Sequence, residues 1–224
     1  MKITAKAVLS LMCITVLLAL SASAGWAADE DKEAPYKDKE ASEVIKIAVG
    51  KLQEEVRKEG IDSKEEIQEQ RERIYNILLD VVDMKTVGIL TLARYRKDFS
   101  DEQFDEFLDI FYKLMFSTYI THLHKMNNEP IKILNSRKRG DDKMTVEAEI
   151  TTTDGTKVPL EFSMLQKDGQ WWIYDLKAEG VSIVRNYRSQ FRELLFKNSV
   201  DEFIEKLDKK SKELEEKAIT EVKE

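Results

Sequence analysis

The feature that most constrains the fold is a change in hydrophobic period at Pro130. Before it, apolar residues recur every three or four positions, the spacing typical of amphipathic helices. After it, the segment KMTVEAEITTT alternates apolar and polar residues, as a strand with one buried face does. A block of helices followed by a block of strands predicts a single α+β domain.

The second half of the chain predicts a four-stranded antiparallel meander. Asp154-Gly155 and Asp168-Gly169 are hairpin turn signals that separate KMTVEAEITTT, KVPLEFSML and WWIYDLKAE, and PIKILNSRK is expected to be the first strand. Charged residues at alternate positions leave one face of the sheet for water. We therefore expect the helices to pack over the other, apolar face of a curved sheet.

The first half predicts helices with clear starts. Ser63 and Ser100 each begin a capping box of the S-x-x-E/Q type. Other helices are expected near residues 44–59, 83–94 and 184–207. The helix after Ser100 has an unusually wide aromatic stripe, made of Phe104, Phe107, Leu108, Phe111, Leu114, Met115 and Tyr119.

Residues 1–28 have the features of a secretory signal peptide. Lys2 and Lys6 precede an apolar run at residues 7–20, and the small residues of SASAGWAA follow. The alternative is a retained membrane anchor, but the run is shorter than the ~20 residues that a span needs. We therefore expect an exported protein.

The rest of the chain divides into three parts. Residues 29–40 are predicted to form a flexible lead-in because they are highly charged. Residues 41–207 are predicted to form one domain, and residues 208–224 a charged C-terminal tail that is either solvated helix or a frayed end. A chain of this length can bury a substantial core without a second domain.

Composition excludes several functional classes. Cys13 lies in the signal peptide, so disulfides, a thiol nucleophile and thiolate metal sites are not expected. Without Lys2 and Lys6 the 36 basic residues fall to 34 against 43 acidic ones, which argues against nucleic-acid binding. His122 and His124 point to different faces of a helix, and no glycine-rich phosphate loop occurs. We expect neither a cofactor nor a metal.

The polar candidates each have a simple structural alternative. Asp175 and Glu179 share one face of a strand, where a role at the sheet rim is favoured over an acid/base pair. Arg185, Arg188 and Arg192 share one face of a helix. That face could be merely solvated, or it could be a basic rim for anionic head groups or an acidic partner.

The apolar residues also leave two interpretations open. Helix aromatics and strand side chains could interlock as a filled core, which is the commoner arrangement. Alternatively, the sheet could curl so that helices and sheet enclose an apolar cavity, a common type of ligand site. Periodicity does not distinguish a filled interior from a hollow one.

The run WWIYDLKAEGVSIVRNYRSQF closely resembles the signature of the periplasmic phospholipid-shuttle proteins, the MlaC or toluene-tolerance family. In that signature a W-x-x-x-D strand leads through E-G-V-S into a helix with N-Y-R-x-x-F. Here the strand supplies Trp171 and Asp175, the turn Gly180 and Ser182, and the helix Arg188. The likeness extends over essentially the whole mature chain.

The resemblance implies a periplasmic carrier that holds phospholipid acyl chains in an apolar cavity and that is not an enzyme. It implies two partners: an inner-membrane ABC transporter complex with an MCE-domain subunit, and an outer-membrane lipoprotein-porin complex. Arg185 and Arg188 are expected at the rim, near head groups or a partner, and we expect a monomer. The expected lipid-binding residues are Leu90, Phe107, Phe111, Met115, Tyr119, Val146, Ala148, Ile150, Leu160, Phe162, Met164, Trp172, Tyr174, Val181, Val184 and Tyr187.

Two hypotheses from other classes compete with the carrier. A cone-shaped α+β enzyme resembling ketosteroid isomerases would need a buried carboxylate deep in its cavity. A structural or chaperone-like envelope protein would hold no stoichiometric lipid. Mass spectrometry of an organic extract separates all three.

Overall fold

The computed structural model describes residues 35–59, 63–123 and 128–221, and these form helices on an antiparallel sheet. The α+β prediction is confirmed. The predicted signal peptide and His124 lie outside the described residues. The helices are α1 Ala41–Val56, α2 Lys64–Leu79, α3 Met84–Leu92, α4 Asp101–Leu123, α5 Ile183–Lys197 and α6 Val200–Glu221, with a 3₁₀ turn at Ala93–Asp98.

The sheet is a meander in which each strand pairs with the next along the chain. Gly155 and Gly169 have φ values of 83° and 80°, which glycine adopts without strain in the two predicted hairpin turns. The sheet has one strand more than expected, because a two-residue strand follows Gly180. The strands are β1 Lys132–Lys138, β2 Lys143–Thr151, β3 Lys157–Lys167, β4 Gln170–Ala178 and β5 Val181–Ser182.

Both predicted capping boxes are present. The Ser63 hydroxyl accepts a hydrogen bond from the Glu66 amide at 3.1 Å, and the Ser100 hydroxyl accepts one from the Gln103 amide at 3.1 Å. Each box satisfies amides that the first helical turn leaves without a partner. The sequence therefore locates the starts of α2 and α4 correctly.

The prediction of one continuous helix at 184–207 is wrong, because the helix is interrupted between α5 and α6. Asn198 has an extended backbone, with φ −134° and ψ 154°. Ser199 then starts α6, and its hydroxyl accepts the Glu202 amide at 3.3 Å while the Glu202 carboxylate accepts the Ser199 amide at 2.9 Å. This S-x-x-E pattern is the sequence signal that the prediction overlooked.

The C-terminal tail is helical, since α6 continues through residue 221, but it is not fully solvated. This helix runs along α4, and Ser211 is buried there. Leu214 packs against the buried residues of α4 and its neighbours. One face of the tail therefore belongs to the domain.

The described part of the lead-in is docked rather than loose. Tyr36 is only 2% exposed, and its amide donates to Gln170 Oε1 at 3.0 Å. The Asp38 amide donates to the Gly169 carbonyl at 2.9 Å. The segment therefore closes one end of the sheet before α1 begins.

The buried apolar residues form two large and separate clusters and a smaller one. The first, here called the helix core, joins α3, α4, α5 and α6. The second, the sheet core, joins Tyr36 and α1 to the apolar face of β2, β3 and β4. The small third cluster consists of Leu52, Ile74, Phe116 and Ile120.

Aromatic rings fill the helix core. The Phe107 ring lies 5.3 Å from Phe111, 5.7 Å from Phe191 and 5.9 Å from Phe203, measured between centroids. Offset and edge-on ring contacts of this kind add to the stability from burial alone. The aromatic stripe of α4 therefore packs on α5 and α6.

Candidate functional site

The helical layer is attached to the sheet mainly through strand β4. Among the helices, α3 and α5 pack on β4, and α1 packs on β2. The longest helix, α4, packs mainly on α6, with smaller contacts to α3 and α1. The two cores therefore approach each other along β4, and two sets of hydrogen bonds hold them there.

The first joint connects the segment before α3 to the middle of β4. Val82 and Ile173 form an isolated parallel bridge, in which the Ile173 amide donates to the Val81 carbonyl at 2.8 Å and the Asp83 amide to the Ile173 carbonyl at 2.9 Å. The buried Gln170 side chain donates to the Asp80 carbonyl at 2.9 Å. This segment is pinned by backbone geometry, which no periodicity in the sequence indicates.

Asp83 adds a charged contact to this joint. Its carboxylate caps α3 by accepting the Thr86 amide at 2.9 Å, and it pairs with Lys167 at the end of β3. Burial acts to raise the pKa of Asp83, but the hydrogen bonds from Lys167 and Thr86 outweigh it and hold the pKa below its ordinary value. Asp83 is therefore a structural carboxylate that ties a helix to the sheet.

The second joint connects β4 to the start of α5. The Asp175 carboxylate accepts hydrogen bonds from the Ser182 hydroxyl at 2.6 Å and from the Val184 amide at 3.0 Å. The Ser182 hydroxyl in turn accepts a hydrogen bond from the Arg185 amide at 3.0 Å. Asp175 and Ser182 thus cap α5 together, as negative groups at a helix N-terminus do. The signature aspartate is a helix anchor, and Glu179, expected to share its role, lies exposed in the following turn with φ 51°.

Eight of the expected lipid-binding residues are fully buried, and the structure divides them between the two cores. The aromatic pair Phe107 and Phe111 is enclosed by rings of α5 and α6 instead of facing the sheet. Val184 and Tyr187 share this helix core. The sheet core holds Val146, Ala148, Phe162 and Met164.

Five more of the expected residues are only partly buried. Leu90, Met115 and Tyr119 pack against the helix core, and Ile150 and Leu160 pack against the sheet core. Each therefore keeps part of its apolar surface outside the close-packed interior.

The residues that mark the border between the two cores were not predicted. Ile173 and Leu176 on β4 pack against the sheet core, and Ile183 at the start of α5 packs against the helix core. Val82 packs against both. We call these four residues the border, and all four are partly buried and apolar.

Two residues of β4 were assigned to the wrong position. Met164 pairs with Ile173, and Leu165 pairs with Trp172, so Trp172 lies on the face opposite Met164. Tyr174 is the extra residue of a bulge, because the next pair is Ser163 with Asp175. The buried tryptophan of the sheet core is Trp171.

Val181 is also misplaced by the sequence. It belongs to β5, before α5 begins, and it is 63% exposed. Helical spacing does not apply to a residue outside the helix, so Val181 does not face either core.

Neutral hydroxyl groups lie at the edge of the helix core. The Tyr187 hydroxyl donates to Thr118 Oγ1 at 3.5 Å, and the Tyr119 hydroxyl bonds with Tyr187 and Asn186. Burial raises the pKa of Tyr187 to about 12 and also raises the pKa of Tyr119. Both phenols therefore stay uncharged at ordinary pH and can only act as hydrogen-bonding groups.

The two expected rim residues lie on the exposed side of α5. Arg188 donates from Nε to the Leu90 carbonyl at 2.7 Å, which ties α5 to the end of α3. Arg185 is exposed and uses its backbone amide in the Ser182 cap. Both side chains are exposed, and their expected role at a rim stays a prediction.

Groups able to hold a metal ion are not found among the residues that the structure describes. Every helix in residues 35–59, 63–123 and 128–221 is too short or too polar to span a bilayer.

Comparison with known sequences identifies the family. The family model of the MlaC protein matches residues 46–209. The chain is 27% identical over 138 residues to the intermembrane phospholipid transport system binding protein MlaC of Haemophilus influenzae, covering 60% of this chain and 64% of that protein. It is 24% identical over 127 residues to the toluene tolerance protein ttg2D of Pseudomonas putida, covering 56% and 59%. Each match thus spans less than two thirds of the relative.

A solved structure shares the fold. A phospholipid-binding protein from Ralstonia solanacearum, in complex with a phospholipid, matches with a TM-score of 0.69 and 19% identity, covering 79% of this chain and 99% of that chain. The family model spans both joints and the aromatic helices α4 and α5. Because it matches most of the chain, this protein belongs to the MlaC family.

Proposed function

We propose that this protein is a periplasmic phospholipid carrier that holds acyl chains between the helix core and the sheet core. One observation carries the proposal: two separate apolar cores meet along β4 at a border of partly buried aliphatic side chains. A small domain ordinarily has one contiguous core. Because the cores are separate, a lipid chain can bind between their two apolar surfaces while each core keeps its own packing.

The energetics favour such a carrier. An acyl chain of ~15 methylenes loses about 12 kcal/mol when it leaves an apolar environment for water, at ~0.8 kcal/mol per methylene. Free transfer between membranes is therefore slow. A carrier needs an enclosed apolar site lined by side chains that can rearrange around the ligand. The proposed site relies on no chemical step.

Family membership and the phospholipid complex of the Ralstonia solanacearum relative support phospholipid as the cargo. As exchange partners we propose the inner-membrane ABC transporter complex with its MCE-domain subunit and the outer-membrane lipoprotein-porin complex. The carrier would serve outer-membrane lipid organisation and act as a monomer, without cofactor or enzymatic activity.

The test is quantitative mass spectrometry of the lipid extracted from purified protein. Wild type should contain phospholipid near one molecule per chain. Leu176→Gln and Ile183→Gln, one on each side of the border, should lower that content several-fold, because a buried amide without partners disfavours an apolar ligand. The matched control is Leu134→Gln, since Leu134 lies on β1 and is already 52% exposed.

Three outcomes would count against the proposal. An extract without lipid would favour a structural or chaperone-like protein, and a different lipid class would redirect the choice of cargo. Unchanged phospholipid in both border variants would show that the ligand lies elsewhere.

A further inference from the structure

One exposed stripe of α5 combines positive charge with an aromatic ring. Arg185, Arg188, Arg192 and Phe196 follow one another at spacings of three and four, on the side opposite the buried Tyr187. Phe196 is 77% exposed, the largest value among the exposed apolar residues that the structure describes. A ring of this size, left in water at the end of a charged stripe, requires an explanation.

The stripe continues onto the 3₁₀ turn. Arg94, Tyr95, Arg192, Phe196 and Lys197 line a shallow groove of about 220 Å³, together with one acidic residue, Glu193. The Arg94 guanidinium lies 5.0 Å above the Tyr95 ring centroid, and its Nη2 donates to the Tyr95 hydroxyl at 3.1 Å. We call this surface, with Arg185 and Arg188, the basic face.

Three cations of the basic face have no ion-pair partner among the residues that the structure describes. Within the described residues, Arg185, Arg192 and Lys197 form no ion pair, whereas cations elsewhere on the surface, such as Lys113 and Lys212, pair with carboxylates. The groove itself carries three cations and one carboxylate. This local excess of positive charge stands out because the whole chain is acidic, with a net charge of −7.

We propose that the basic face docks the protein on the surface of an anionic phospholipid bilayer. Lysine and arginine near a membrane surface are attracted to anionic head groups. Exposed aromatic rings beside them insert at the boundary between head groups and acyl chains. An acidic protein is otherwise repelled by such a surface, so a single basic face also fixes its orientation.

The proposal is independent of where the protein holds its own lipid. Arg192, Phe196 and Lys197 are outside the border and outside both cores, so their substitution should leave the amount of co-purified lipid unchanged. Failure of docking and failure of lipid carriage are therefore distinguishable in the same preparations.

The experiment is sedimentation of purified protein with vesicles. One set contains phosphatidylethanolamine with phosphatidylglycerol, and the other contains phosphatidylcholine alone. Wild type should bind only the anionic vesicles, and binding should vanish as salt rises from about 0.1 M to about 1 M, where the screening length falls from ~10 Å to ~3 Å. The double variant Arg192→Gln/Lys197→Gln should bind on the order of 30-fold more weakly.

A second variant tests the aromatic contribution. Phe196→Ser should weaken binding roughly tenfold and leave its salt dependence unchanged, because it removes apolar contact but no charge. The matched controls are Lys209→Gln/Lys210→Gln, which removes two exposed cations of α6, and Leu134→Ser, which removes an exposed apolar residue of β1. Both controls should bind like wild type.

Equal binding to both vesicle types, or basic-face variants that bind like wild type, would overturn the proposal. The proposal would also be overturned if wild type did not bind vesicles but bound an acidic envelope protein through Arg192 and Lys197. That last result would assign the basic face to a protein partner.

Discussion

The helix core and the sheet core are built from different side chains. In the helix core, rings of Phe107, Phe111 and Phe191 lie 5.0 to 5.7 Å apart and leave each other little freedom. The sheet core is mainly aliphatic, and α1 and the segment around Tyr36 cover it from one side. Interlocked rings resist rearrangement, whereas aliphatic side chains at a partly buried border can adapt to a flexible chain.

This difference indicates a division of labour. The helix core provides stability, and in the proposed function the border is the surface where a lipid chain would bind between the two cores. The joints at Val82 and Asp175 keep the two cores in register along β4. Four substitutions test this division, and each is compared with a second substitution at another position.

The largest effect is expected from removing a ring of the helix core. Phe111→Ala should lower the free energy of unfolding by about 3–5 kcal/mol, because it leaves a cavity among rings that cannot collapse. Phe162→Ala removes the same side chain from the sheet core and should cost less, while lowering the lipid content more. Denaturant unfolding and lipid analysis of both variants measure this; equal losses would show that the cores do not differ.

The next effect concerns the contact between α3 and α4. A Cβ atom at Gly88 would lie 2.3 Å from Leu108 Cδ2 and 3.3 Å from the rings of Phe104 and Phe107. All three neighbours are buried, so Gly88→Ala should destabilise the protein by about 1–2 kcal/mol despite its better helix propensity.

The control for this substitution is Gly50→Ala in α1. A Cβ there meets nothing within 4 Å, so the change should raise stability by up to about 1 kcal/mol. If Gly88→Ala were also stabilising in thermal unfolding, the helix core would be looser than its ring contacts imply.

The sequence predicted what depends on neighbouring residues. The caps at Ser63 and Ser100 follow from a serine with Glu or Gln three residues later, and the hairpin turns follow from their glycines. The change in hydrophobic period at Pro130 predicted the α+β class, and the family resemblance indicated the phospholipid cargo that is proposed above. These features need no knowledge of what packs against what.

The sequence could not predict what depends on the bulge in β4. Strict alternation offers either Trp172 with Tyr174 and Leu176, or Trp171 with Ile173 and two charged residues, and the first set is the more apolar. The bulge lets Trp171, Ile173 and Leu176 share one face, a combination that strict alternation does not contain. Ile173 was missed for this reason.

The α4 stripe shows a related limit. Periodicity indicates that Phe107 and Phe111 are buried, but it does not say whether helices or strands cover them. Here α5 and α6 do, because Ser199 starts a separate helix that runs back along α4. Which layer covers an apolar stripe is decided by tertiary packing, and helical periodicity does not contain that information.

A smaller effect is expected at the second joint. Ser182→Ala removes a hydroxyl that caps α5 and donates to Asp175, and it should cost about 1–2 kcal/mol. Ser100→Ala removes a comparable but exposed cap on α4 and should cost about 1 kcal/mol or less. If the two losses in denaturant unfolding were equal, the contact with Asp175 would add nothing and the second joint would be only a helix cap.

The smallest effect is a pH dependence at the first joint. The pKa of Asp83 in the folded protein lies below its ordinary value of 3.8, so ionised Asp83 stabilises the fold at any pH above that value and loses its contribution as the pH falls below it. Asp83→Asn keeps a good helix cap but loses the ion pair with Lys167. Since Lys167 is 48% exposed, the difference at pH 7 should be only about 0.5–1 kcal/mol. In unfolding curves at pH 7 and pH 3, the gap between wild type and variant should be smaller at the lower pH. Lys167→Gln should behave in the same way if the ion pair is the cause. A gap of equal size at both pH values would assign the effect to the cap on α3 instead of to the link between the two cores.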